Sequence, residues 1–130
     1  MSSFETVKGY LLEMGFSFDV ENPEEELVVV NDTDRGIKDL VIDCEDPIVI
    51  LEQVILVLEK DSSEIYKRIL QINRSLVHGA FCLNEEGNIL LFRDTLQLTN
   101  LDLNELEGSI DALSLAMAEN GTELLSFVGK

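Results

Sequence analysis

His78 and Cys82 are the residues of this chain whose types and spacing come nearest to a catalytic pair. A thiol acts as a nucleophile only after a base has taken its proton, and an imidazole is the usual base. The sequence has a single histidine, so any Ser-His-Asp or Cys-His arrangement must use it. The four-residue interval, however, crosses the expected end of a helix at His78-Gly79 and enters a strand. It does not by itself bring thiol to ring. The plainer role for His78 is at the helix C-terminus, where the helix dipole favours positive charge.

Asp32, Asp34 and Asp43 invite comparison with a calcium loop. In the pattern D-x-[DN]-x-[DN]-G-x5-E, counted from Asp32, Gly36 arrives one residue early and Asp43 stands where a bidentate Glu belongs. The cluster Asn31-Asp32-Thr33-Asp34-Arg35-Gly36 reads instead as a solvated turn, and Glu24-Glu25-Glu26 as an exposed charge run. Carboxylates paired for glycoside hydrolysis stay open at this level, although so many acids make chance pairs common. No GxGxxG or GxxxxGK[ST] run and no GxSxG elbow occurs. The sequence therefore predicts no catalytic residue, no metal ligand set and no cofactor.

Charge narrows the partners. Acidic residues number 26 against 9 basic ones, for a formal net charge of −17. Binding to a phosphate backbone depends on Lys and Arg displacing counterions, so nucleic acid and anionic membrane are disfavoured. A protein client with a basic or apolar segment fits the charge better. Hydrophobic residues make up 45% of the chain, which excludes wholesale disorder. A chain of 14.6 kDa should expose about 7,000 Å² when folded, against about 21,000 Å² unfolded. That is enough burial for one domain over residues 1–130. Cys44 and Cys82 lie in separate strand-like runs without CxxC spacing, so free thiols are expected. The N-terminus lacks the basic-then-apolar order of a signal peptide. The run from Pro47 to Leu58, broken by Glu52 and Gln53, is too short and polar to span a bilayer. A cytoplasmic protein is expected.

The elements that must position any site follow from periodicity. Ser2 with Glu5 can cap a helix carrying Phe4, Val7, Leu11 and Met14, which Gly15 stops. Phe18–Val20 begins an extended segment. Leu27–Val30, Leu40–Cys44 and Ile48–Leu58 read as strands joined by short turns, which favours an antiparallel meander. Asp61 with Glu64 should cap a second helix ending at His78-Gly79. Ala80–Leu83 and Ile89–Leu98 form a hairpin across Asn84–Asn88. Asp102 with Glu105 caps a third helix, with Leu103, Leu106, Ile110, Leu113 and Met117 on its stripe, which Asn120-Gly121 can end. Gly108, inside it, permits close packing or is simply tolerated. Leu124, Leu125, Phe127 and Val128 form an apolar tail, docked on the core or left for a partner. The order α-β-β-β-α-β-β-α predicts an α+β fold with an antiparallel sheet packed by helices.

The run from Ile72 to Leu115 resembles the type III secretion chaperone-like fold, shared by class I secretion chaperones of the Tir chaperone type and by YbjN-like proteins. The likeness is carried by Ile72-Asn73-Arg74, Gly79–Asn84, Glu86-Gly87-Asn88, Leu90–Arg93 and Leu101–Leu106. Asn73 before a Gly-led strand is closer to the YbjN-like branch. The resemblance implies a homodimer, and in the secretion chaperones an extended effector segment lies on apolar patches. The expected function is thus non-catalytic protein binding, with a regulatory or stress-related YbjN-like role as the alternative.

Two surfaces are expected. The broad stripe of Ile65, Tyr66, Ile69, Leu70, Ile72 and Leu76 is wider than one sheet contact needs, which leaves room for a dimer interface. Val28, Val30, Val49 and Leu51 are candidates for partner binding, or for the core, because strand parity defines two faces without saying which is covered.

Overall fold

The protein is described here by a computed structural model covering residues 2–128. Helix α1 spans Ser3–Glu13, followed by strands β1 (Val20–Asn22), β2 (Leu27–Asp32), β3 (Ile37–Glu45) and β4 (Ile48–Val57). Helix α2 spans Ser63–Asn73, then β5 (Ala80–Leu83), β6 (Ile89–Gln97) and helix α3 (Leu103–Leu125). All neighbouring strands are antiparallel, in the order β1-β2-β3-β4-β6-β5. The fold is the expected α+β one, with one more strand before α2 than the sequence suggested. The extra strand is β1, whose three residues pair with β2 from Val20↔Val29 to Asn22↔Leu27.

Local chemistry starts the helices. Ser2 Oγ accepts the Glu5 amide at 3.2 Å, and Asp102 Oδ1 accepts the Glu105 amide at 2.8 Å, each satisfying a donor with no partner inside its helix. The second helix is capped one residue later than expected. Ser62 Oγ accepts the Ile65 amide at 3.2 Å, while Asp61 Oδ1 accepts the Tyr66 hydroxyl at 2.8 Å. It also ends earlier, at Asn73 rather than His78. Ser75 Oγ donates to the Ile72 carbonyl at 2.8 Å, and the Asn73 side chain is turned to β5. Gly79 then takes a φ of 73°, where an added Cβ would stand 2.5 Å from Phe92 Cζ. The close approach of this turn to β6 therefore requires glycine. Helix α3 runs past Asn120-Gly121 to Leu125.

One face of the sheet carries the core. Val28, Val30, Leu40, Ile42, Val49, Leu51, Leu90 and Phe92 alternate inward and are fully buried with Val7, Leu11, Leu106, Ile110 and Leu113 of the helices. Phe81 meets Phe92 edge to face, with ring centroids 6.0 Å apart, an arrangement aromatic pairs prefer. The tail completes this core, since Leu124 and Phe127 are buried while Leu125 and Val128 are exposed. The solvent-accessible area is 7580 Å², close to the scaling value.

The sheet forks between β3 and β4. Their ladder stops at Val41↔Glu52, while β4 goes on alone along β6 as far as Val57↔Ile89. Buried Gln53 bridges the gap, its Oε1 accepting the Lys38 amide at 2.9 Å and its Nε2 donating to the Gly36 carbonyl at 3.1 Å. Ser109 ties α3 to β6 by donating to Asp94 Oδ2 at 2.7 Å.

Candidate partner-binding site

The four strand residues expected as partner contacts or core belong to the core. Val28, Val30 and Val49 are 0% exposed and Leu51 is 1% exposed. They are corrected as binding candidates, because the face they share is the one the helices cover. The α2 stripe divides. Ile65, Ile69 and Ile72 are buried against the core, Tyr66 and Leu76 are partly buried, and Leu70 is 69% exposed.

Leu70 opens onto a groove. Tyr66, Ile69 and Leu70 of α2 face Phe81, Cys82 and Leu83 of β5 around a concavity of about 420 Å³. Every side-chain surface it offers is carbon or sulfur, apart from the phenol of Tyr66. Its floor is fixed by Asn73, whose Nδ2 donates to the Phe81 carbonyl at 3.0 Å and whose Oδ1 accepts the Phe81 amide at 2.8 Å. A primary amide here occupies the groups that an added strand would use. The outer edge of β5 is thereby closed at Phe81. On the opposite flank of α2, Arg68 forms a two-pronged ion pair with Glu123 of α3, Nε to Oε2 at 2.6 Å and Nη2 to Oε1 at 3.0 Å. That pair holds the Glu123 carboxyl below its usual range.

The second exposed surface is the other face of the sheet. Leu27, Val29, Val41, Ile48 and Ile50 point to it and stay partly exposed, while their strand neighbours are buried. Asp43 lies between Leu27 and Ile50 in register. Its Oδ1 is shut off from solvent and has no hydrogen-bond partner among the described residues. Burial first, then the charge of Glu45 and a side-chain hydrogen bond shared with it, and then the charges of Glu25 and Glu52, raise its pKa.

The nearest candidates for chemistry are set apart. His78 is exposed and lies over α3, where a Cβ on Gly108 would be 3.8 Å from its Nε2. Cys82 instead lines the α2–β5 groove. Both thiols are held protonated by burial, Cys44 being pushed up to about 12 and Cys82 also raised. A protonated thiol is a poor nucleophile. Asp32 and Asp34 flank the turn at Arg35, which pairs with Asp32 at 3.9 Å and with Asp111, and Asp43 is far along β3 in register. Among the described residues no three His, Cys, Asp or Glu side chains are grouped to hold a metal ion. Nor is any described helix long and apolar enough to cross a membrane.

The sequence reading missed the roles of Asn73, Gln53 and Asp43. Asn73 was visible only as part of a pattern. Asp43 carried a signal, being the one charged residue in the alternating run Leu40–Cys44.

The family model CesT_Tir_1 matches residues 1–130. The chain belongs to the CesT_Tir_1 family. Among curated proteins none matches at a significant level. Among solved structures, YbjN from E. coli superposes with a TM-score of 0.69 at 15% identity, covering 93% of this chain and 92% of that one. A protein from Methanothermobacter thermautotrophicus gives 0.68 at 21% identity, covering 98% and 100%. A chain of the heterodimeric ExoU-SpcU complex from the type III secretion system of Pseudomonas aeruginosa gives 0.68 at 13% identity, covering 95% and 98%. These likenesses establish a shared fold with the CesT_Tir_1 member described here.

Proposed function

We propose that this CesT_Tir_1 protein acts without catalysis, as a homodimer that holds a segment of a client protein. The observation that carries the reading is the groove between α2 and β5, a carbon-lined concavity with Leu70 standing out of it. Isolated exposed leucines are ordinary, but a continuous apolar groove on a chain of net charge −17 marks an interaction surface. A second copy is the occupant that fits it. Two polyanions can meet where neither presents carboxylates, and in an isologous contact each copy meets its own groove. The fold shared with a chain of the ExoU-SpcU complex supports a protein partner, and protonated thiols beside a remote histidine support the absence of chemistry.

A regulatory protein of the YbjN-like kind, acting through another partner, is the second reading, favoured by the superposition on YbjN. Co-purification with mass spectrometry separates the two. The first expects one client recovered in stoichiometric amount and protected from proteolysis by the bound protein. Recovery of no protein would remove client holding, and recovery of a transcription or signalling component would favour the second reading.

A further inference from the structure

Acidic residues are spread along the whole chain except in one place. None occurs between Glu64 and Glu85, a run of twenty residues that carries Lys67, Arg68 and Arg74. No other stretch without an acid is longer than seven residues. The run holds most of α2, the turn after it and β5. A contact between two copies needs only the absence of carboxylates, which does not explain the cations. The helix dipole accounts for Arg74 at the C-cap, but not for Lys67 and Arg68 in the helix body. On the flank of α2 turned away from the apolar groove, Arg68, Gln71, Arg74 and Ser75 surround a concavity of about 540 Å³. Arg68 already grips a carboxylate, that of Glu123, through both arms of its guanidinium. Lys67, Gln71 and Arg74 are exposed, and among the described residues neither Lys67 nor Arg74 forms an ion pair. These three residues follow at intervals of four and three, so their donors share one side of the helix over about 10 Å.

We propose that this flank of α2 is a docking site for a short acidic segment of a further protein partner, whose Asp or Glu side chains are held by Arg74, Gln71 and Lys67 beside Arg68. A guanidinium and a primary amide are donors suited to a planar carboxylate, and the guanidinium can bind one in two-pronged form. The proposal goes beyond client holding and does not rest on it, since the groove offered to a second copy lies on the opposite flank of the helix. Charge decides the occupant. A basic segment, attracted to the rest of the chain, is turned away here by three cations. Nucleic acid brings phosphates along its whole length, and the acidic surface around the site repels them. A short acidic segment meets the local field instead, because charges more than about 8 Å away are largely screened at physiological salt.

The probe is a synthetic ten-residue peptide with four glutamates among alanines, titrated into the nitrogen-labelled full chain and followed by magnetic resonance. Shifts should concentrate on the Arg68 and Arg74 Nε–H signals, the Gln71 side-chain amide and the Ser75 backbone amide. Arg74→Gln should weaken binding by about tenfold, the order lost with one charge-assisted contact. Glu123→Gln frees the fork of Arg68 and should tighten binding by about the same factor. Lys38→Gln on β3 and Glu24→Gln in the β1–β2 turn make the same two changes in net charge on strands remote from β5 and α2. Each should leave affinity within about twofold, as expected for long-range charge alone. Circular dichroism should show all four variants folded. Equal effects at near and remote positions would reduce binding to net charge and overturn the proposal. So would shifts centred elsewhere, or no binding at millimolar peptide. Tighter binding of inorganic phosphate or of a single-stranded oligonucleotide than of the peptide would overturn it in favour of a phosphate ligand. The same shifts appearing with protein concentration alone would overturn it in favour of a second copy.

Discussion

Asp43 presents a choice between two forms of one side chain. Its raised pKa means that folding shifts Asp43 towards the neutral carboxyl, relative to the unfolded chain, which titrates near the ordinary aspartate value of 3.8. For an acid shifted in this direction, stability is lost as pH rises from the unfolded value through the folded one. Asp43→Asn keeps the shape, removes the charge and adds an N–H. It should therefore raise the melting temperature at pH 7, by the equivalent of about 0.5 kcal/mol on the scale of cross-strand charge contacts. The gain should vanish below pH 3.8, where both chains are neutral at this position. Glu123 has the opposite sign. Its pKa is lowered by Arg68, so the support it gives is present above the usual carboxylate range and fades as pH falls through the depressed value. Melts of wild type and Asp43→Asn across pH 3–8 check this, and a variant less stable at pH 7 would show that Asp43 has a cation the structure does not reveal. The thiols give a second check at this scale. With Cys44 pushed to about 12 and buried, only Cys82 should react with an alkylating reagent at pH 8, and slowly. Both should react in denaturant.

Among the elements, what was legible in the sequence was whatever periodicity and capping determine locally. The stripes of α1 and α3, the Ser2 and Asp102 caps and the β5–β6 hairpin needed no knowledge of distant residues. The end of α2 was not legible, because Leu76 and Val77 continue an apolar pattern that the chain does not use helically. A tertiary demand decides it: Asn73 must present its amide to Phe81 across eight residues. Parity on β2 and β4 likewise gave the alternation but could not say that the helices lie over Val28, Val30, Val49 and Leu51. Choosing a face is a property of the assembled layers. Asn73→Ala isolates the α2–β5 contact. It leaves the Phe81 amide and carbonyl without their partners, which should cost about 1–3 kcal/mol, and it reopens the strand edge. Chemical denaturation should show the lower midpoint, and hydrogen exchange should speed up at the Phe81 amide ahead of β3 and β4. If exchange there is unchanged, the amide is protected by something other than Asn73.

For the whole molecule, the net charge of −17 sets how the proposed dimer must behave. Two copies repel at long range, while the α2–β5 groove offers short-range apolar contact that salt barely weakens. Since the Debye length falls from about 30 Å at 0.01 M salt to about 10 Å at 0.1 M, association should tighten as salt is added, the reverse of a contact held by ion pairs. Light scattering at about 10–50 µM, suited to ordinary interface affinities, should show a dimer at 0.15 M salt and partial dissociation at 0.01 M. Two neighbouring substitutions separate the interface from the core. Leu70, largely exposed, can become Asp at a folding cost within about 0.5 kcal/mol, so Leu70→Asp should give a folded monomer at every salt concentration. Ile69 is buried, and Ile69→Asp places a charge in the core, which unfolds the chain rather than splitting a dimer. A Leu70→Asp protein that remains dimeric with an unchanged melting temperature would move the dimer contact off α2. The open sheet face would be no substitute for it, because a second copy there would set Asp43, Glu45 and Glu52 against identical carboxylates.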